Sequence, residues 1–115
     1  MKPVIFGTLF FGLTLARAEA PVNTPDLVAK GKSLYASKCL TCHGEKGDGM
    51  GPAGKYLNPK PRNFSTGPYK KGDKASDLFT TITNGLDGTA MIGFKDVLEA
   101  DRWAMVYYVQ TFKKK

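Results

Sequence analysis

Cys39-Leu40-Thr41-Cys42-His43 is the stretch on which the reading of the whole chain turns. Two thiols three residues apart, with an imidazole directly after the second, form the pattern of covalent haem attachment. The logic is one of spacing. On a helical turn, positions i, i+3 and i+4 share one face. Two thiols on that face can add across the two vinyl groups of a haem as thioethers. The imidazole beside them then stands under the iron as an axial ligand. Other uses of these residues fit less well. A structural zinc site wants four Cys or His ligands, and this turn supplies three. A thioredoxin-like redox pair needs a βαβ setting, and no strand pattern of any length is visible. A plain Cys39–Cys42 disulfide, a common device in exported proteins, leaves His43 without a role.

His43 is the single histidine of the chain. It is therefore the expected proximal ligand, and bis-histidine coordination is excluded. Its use on iron also removes the usual general base of a haem peroxidase or of a Ser/Cys hydrolase. The sixth position falls to Met, to Lys, to the N-terminal amine or to water, or it stays open. Met105 sits inside a helical pattern and reads as core. Met50 lies in a glycine loop soon after His43; that stretch, fully extended, spans up to about 24 Å, so reach alone does not exclude it. Met91 lies in the loop Gly88-Thr89-Ala90-Met91-Ile92-Gly93-Phe94 between two helical patterns. A loop so placed can cross the far face of a haem and present a thioether sulfur. Met91 is the expected sixth ligand, with Met50 second; the alternative is a gap-filling core methionine.

Working outward, the elements around this turn are helical. Thr24-Pro25-Asp26 is a helix start, with an N-cap Thr, Pro at the first position and an acid in the first turn. Leu27, Gly31, Leu34 and Tyr35 recur at helical spacing, so a first helix is expected from about Pro25 towards Cys39. Gly44–Gly54 holds five glycines and Pro52 and reads as loop, with several positions at positive φ. Pro59, Pro61 and Pro68 mark extended or turning chain. A second helix is expected from Asp73, as N-cap, to Asn84, with Leu78, Phe79 and Ile82 as its apolar face and Gly85 as C-cap. A third is expected from about Glu99 to Phe112. There Trp103, Val106 and Tyr107 form one apolar stripe, and Met105, Tyr108, Val109 and Phe112 another, so this helix must be covered on more than one side.

The 115 residues allow one domain, or one domain with a leader. Lys2, an apolar run from Val4 to Leu15 and the small residues of Ala16-Arg17-Ala18 have the form of a secretory signal peptide. Residues 1–18 are the expected leader, cleaved after Ala18, and 19–115 the mature domain; cleavage after Ala20 also satisfies the small-x-small rule. The run is too short for a bilayer span of about 20 residues, so no stable membrane insertion is expected. The formal charge is +7, and Lys2 and Arg17 of the leader carry two of those charges. The remaining basic excess suits an acidic protein partner. Nucleic acid is not expected, since no basic helix or aromatic–basic sheet pattern is present. Asn63-Phe64-Ser65 matches a glycosylation sequon, a coincidence behind a bacterial-style leader.

Around the attachment motif, further matches fall in the order found in class I monohaem cytochromes c, a family that the chain resembles over nearly all of residues 19–115. Gly31 and Tyr35 match the positions at which the N-terminal helix packs on the C-terminal helix. Gly51-Pro52 resembles the turn whose proline carbonyl accepts a hydrogen bond from the ligand imidazole, here His43. Pro61-Arg62-Asn63-Phe64 resembles a haem-side segment, with Phe64 against the ring and Arg62 either near a propionate or simply exposed. Thr89-Ala90-Met91 resembles the methionine-ligand loop, and Arg102-Trp103-Ala104 through Tyr108-Val109 the C-terminal helix. The family commonly carries proline after the ligand methionine; Ile92 stands here instead, so the loop lacks the stiffening of a fixed φ. The resemblance implies an all-α fold, about three to four helices around one covalent haem c, with the first and last helices crossing at Gly31.

The function expected on this reading is that of a soluble one-electron carrier between exported or membrane redox proteins, in the periplasm, and not an enzyme. A His/Met iron has no open site, and methionine ligation raises the potential. Lys46, Lys55, Lys60, Lys70, Lys71, Lys74 and Lys95 are spread over the expected haem-side loops and helix start; ringed about an exposed haem edge they would steer redox donors and acceptors with acidic docking surfaces, the alternative being simple solubility. A five-coordinate enzyme or gas sensor is the rival; no polar residue is recognisably placed to work on a bound ligand. A subunit of a larger redox complex is barely separated from a free shuttle by sequence.

Overall fold

A computed structural model describes Pro3, Gly7 and residues 19–67, 69 and 71–113. The leader lies outside the described residues apart from Pro3 and Gly7, as do Pro68 and Lys70. Four α-helices form, and no strand is present among the described residues: α1 Pro25–Lys38, α2 Leu40–His43, α3 Ala75–Asn84 and α4 Glu99–Gln110, with a 3-10 turn at Gly54–Tyr56. The expected all-α architecture is therefore found.

α1 starts where the Thr24 side chain accepts the Leu27 amide at 3.2 Å, with Pro25 in the first turn and Asp26 beside the helix N-terminus. It ends at Cys39, whose amide still donates to the Tyr35 carbonyl at 2.8 Å. The chain then turns straight into α2. The start of α3 lies later than expected. Asp73 is not its cap; its carboxylate pairs with the Lys113 ammonium at the far end of the chain. Lys74 takes the cap position, and the Asp77 carboxylate reaches back to accept its amide at 3.2 Å. Gly85 closes α3 as expected, at φ +74°.

α4 is the spine. Ala104, Met105 and Val106 are wholly buried, and Trp103, Tyr107 and Val109 nearly so. α1 packs on one side of it and α3 on another, which is why an almost all-round apolar helix is stable here. The α1/α4 crossing is close because Gly31 has no side chain: a Cβ there would lie 2.0 Å from the Ala104 carbonyl oxygen. Lys30 and Asp101 pair across the same crossing at 2.8 Å. On the other side the Trp103 indole stacks on Phe79 at 4.2 Å, and the Arg102 guanidinium donates to the Thr83 hydroxyl at 2.8 Å. Tyr107 donates its hydroxyl to the Pro21 carbonyl at 2.5 Å and so clips the lead-in to α4.

Candidate haem-attachment site

The attachment turn has the geometry that its spacing requires. The Cys42 and His43 amides both donate to the Cys39 carbonyl, at 3.2 and 2.9 Å, so Cys39, Cys42 and His43 share one helical turn. The two thiols are half-buried and not bonded to each other. Burial pushes the Cys39 thiol up to about 11, an effect opposed by Lys38 and aided by Cys42. It is a protonated thiol at neutral pH.

The glycine loop serves this turn. A helix four residues long leaves its last carbonyls unpaired. The loop doubles back and supplies the donors: Ala53 to Thr41, Gly51 to Cys42 and Gly49 to His43, at 2.9, 3.1 and 2.8 Å. Gly49 sits at φ +81°, and a Cβ on it would fall 2.3 Å from the Pro61 carbonyl oxygen. Only a glycine lets the 61–64 segment approach so near. Tyr35 closes the turn from below, its buried hydroxyl donating to the Gly44 carbonyl at 2.5 Å.

The orientation of His43 corrects one expectation. Its Nδ1 faces the Arg62 carbonyl at 3.3 Å and not the Pro52 carbonyl. The cause is the anchoring of the 61–64 segment. The Phe64 amide donates to Gly47 at 2.7 Å, and the Tyr69 hydroxyl donates to the Phe64 carbonyl at 2.7 Å. Phe64 thereby lies flat against the imidazole, with ring centroids 4.4 Å apart. A carbonyl can only accept, so Nδ1 carries the proton and the Nε2 lone pair is left for a metal. Burial also lowers the pKa of His43, against the hydrogen bond to Arg62, and the nearby Arg62 charge adds to the lowering. The ring is held neutral, the form that ligates metals. The Arg62 guanidinium itself lies over the Tyr69 ring at 5.4 Å.

Met91 lies on a separate segment, in the loop between α3 and α4. The contacts described for it belong to its own loop: its amide donates to the Thr89 hydroxyl at 3.1 Å, and its carbonyl accepts from Leu86 at 3.1 Å. Met91 is half-buried, Met50 is 51% exposed, and Met105 is sealed inside α4. The attachment triad is thus brought together in one turn, while Met91 is presented from another part of the fold.

The model of the Cytochrome c family matches residues 28–113. The chain belongs to the cytochrome c family. Its donor set fits the family's covalent haem: two unpaired thiols and one neutral imidazole with Nε2 free, all on one turn. Among relatives of this cytochrome c domain is the cbb3-type cytochrome c oxidase subunit FixP of Azorhizobium caulinodans, 36% identical over 60% of the chain and 21% of the relative. Another is thiosulfate dehydrogenase of Stutzerimonas stutzeri, 26% identical over 76% of the chain and 28% of the relative. Among solved structures, a chain of the reducing HAO-like protein complex of Kuenenia stuttgartiensis superposes with a TM-score of 0.78 at 31% identity, over 84% of this chain and 48% of that one. The cytochrome c domain thus spans about a fifth to a quarter of the curated relatives and about half of the structural neighbour. Membership of this family implies electron transfer.

Sequence reasoning missed two features of the site. The Arg62 carbonyl was invisible because a backbone acceptor leaves no residue signature. The Thr89 hydroxyl had a signal, since Ser and Thr two residues before a turn position commonly bond the backbone.

Proposed function

We propose that the chain is an exported single-haem c-type cytochrome that moves one electron at a time between redox proteins and performs no catalysis of its own. Haem c is joined to Cys39 and Cys42, and the iron is held by His43 and Met91. The observation that carries this reading is the one turn that offers two unpaired thiols and an imidazole whose Nδ1 is already engaged. When bound, the haem supplies a reversible ferric/ferrous couple. The chain's residues do the rest. Cys39 and Cys42 tether the ring. The Arg62 carbonyl and Phe64 fix the plane of His43. Met91 is favoured over Met50 and Met105 because it is half-buried in the loop that joins α3 to α4, while Met50 is 51% exposed and Met105 is locked in α4. A soft thioether favours ferrous iron and leaves no open site for an exchangeable ligand.

Lys46, Lys55, Lys60, Lys71, Lys74 and Lys95 are all exposed. They give acidic partners a basic surface for steered encounter. The leader-like residues 1–18 support export, and the periplasm is the compartment that fits them. A second reading, a haem-bearing subunit of a larger redox complex, is favoured by the kinds of protein among its relatives: an oxidase subunit and a chain of a protein complex.

The test is the optical spectrum of the oxidised protein. The weak far-red band of sulfur–iron(III) ligation is expected in the parent and is lost in Met91→Ala. A high-spin parent that binds carbon monoxide readily when reduced contradicts the carrier and supports an open iron.

A further inference from the structure

The loop that carries Met91 buries few of its side chains, although its backbone lies close on Gly85 and the end of α3. Asp87, Gly88, Ala90 and Ile92 are exposed, Ile92 by 69%. No proline follows Met91 to fix its backbone. What the loop has is a closed ring of hydrogen bonds centred on Thr89. The Thr89 hydroxyl donates to the Leu86 carbonyl at 2.7 Å and accepts the Met91 amide at 3.1 Å. The Leu86 amide in turn donates to the Met91 carbonyl at 3.1 Å. Both backbone groups of Met91 are therefore tied, one by a side chain and one by the start of the loop. The flanks are anchored to α3: Gly85 ends that helix, and the Phe94 amide donates to the Ile82 carbonyl at 2.9 Å. The ring is a rigid insert between two fixed ends.

We infer that Thr89 is a positioning residue for the Met91 sulfur: its hydroxyl fixes the Met91 backbone where a following proline is missing. The inference rests on the reading of Met91 as sixth ligand. A hydroxyl that both donates and accepts is needed, so Ser can replace Thr. Val, of the same shape, cannot, and it leaves the Met91 amide and one acceptor site on the Leu86 carbonyl unpaired. Losing the two bonds frees the loop to leave the iron more often, and an added ligand then competes more easily.

The experiment is an imidazole titration of the oxidised holoprotein, followed by loss of the far-red sulfur–iron band, for the parent, Thr89→Val and Thr89→Ser. The midpoint imidazole concentration is expected to fall roughly tenfold in Thr89→Val, on two net hydrogen bonds, and to stay within about twofold of the parent in Thr89→Ser. A Thr89→Val midpoint within twofold of the parent, with the band present, overturns the role of Thr89 and leaves Met91 ligation standing. A parent without the band overturns Met91 ligation and the role of Thr89 with it. Amide hydrogen exchange of the parent gives a second readout that needs no variant to fold. The Met91 amide is expected to be protected although its neighbours are exposed; exchange as fast as that of Ala90 overturns the inference.

Discussion

Tyr35 shows how one side chain couples the helix core to the attachment turn. Its ring is 2% exposed and packs against Tyr108 and Phe112, while its hydroxyl reaches the Gly44 carbonyl. Removing the hydroxyl in Tyr35→Phe takes away one of the two hydrogen bonds to the Gly44 carbonyl, which keeps the Gly47 amide at 3.2 Å; the loss is about 0.5–1.5 kcal/mol. Burial holds the Tyr35 hydroxyl protonated well above the ordinary tyrosine range. The sign follows from linkage. The unfolded chain releases this proton at its ordinary value of about 10 and the folded chain does not, so the stabilisation is whole below that pH and is lost as pH rises above it. Denaturant unfolding of the parent and of Tyr35→Phe from pH 8 to 11 should therefore show a gap that is constant at first. Above pH 10 it narrows, by at most about 1.4 kcal/mol per pH unit. A gap that does not change with pH contradicts this role. None of it was legible beforehand. Tyr35 could be placed on an apolar helical face, but its partner is a backbone carbonyl past the end of its helix.

At the scale of elements, legibility followed locality. The start of α1 was readable because Thr24, Pro25 and Asp26 act on amides within the same turn. The start of α3 was misplaced because Asp73, a good cap by type, is claimed by Lys113 from across the fold. The two-sided burial of α4 was readable because Trp103, Val106 and Tyr107 on one stripe and Met105, Tyr108, Val109 and Phe112 on another cover most of its circumference. The α1/α4 crossing rests on Gly31. An added Cβ in Gly31→Ala would press on the Ala104 carbonyl at 2.0 Å and on the Tyr108 Cβ at 2.9 Å. Ala104 is backbone-packed and cannot yield by a rotamer change, so the helices must separate. Overpacking of this kind costs about 1–3 kcal/mol, and each kcal/mol lowers the melting temperature of so small a domain by roughly 4–8 °C. Gly31→Ala should melt earlier with its far-ultraviolet spectrum at low temperature intact. An unchanged melting temperature would mean that the crossing is looser than described.

For the whole molecule, the arrangement divides labour between a rigid frame and two presented segments. α1, α3 and α4 build the frame and need no chemistry of their own. The attachment turn leaves the end of α1, and the Met91 loop joins α3 to α4, so the two candidate axial ligands arise from separate parts of one core. The triad was legible because three reactive side chains in five residues fix their own geometry. The partner of His43 was not, because the 61–64 segment is set by contacts from Gly47 and Tyr69 that no local pattern encodes. The basic, exposed lysines belong to this scale too, since steering depends on the summed field and not on one pair.

The measurement that tests the central claim most directly is the intact mass of the purified protein under denaturing conditions, read beside its visible spectrum, for the parent and for Cys39→Ala/Cys42→Ala. The expected result is a parent mass equal to the mature chain, residues 19–115, plus one haem, with the haem resisting acid–acetone extraction, and a double variant from which the haem is extracted. A parent mass of the bare chain with a Cys39–Cys42 disulfide, or a haem that leaves the parent on extraction, would contradict covalent attachment at this turn.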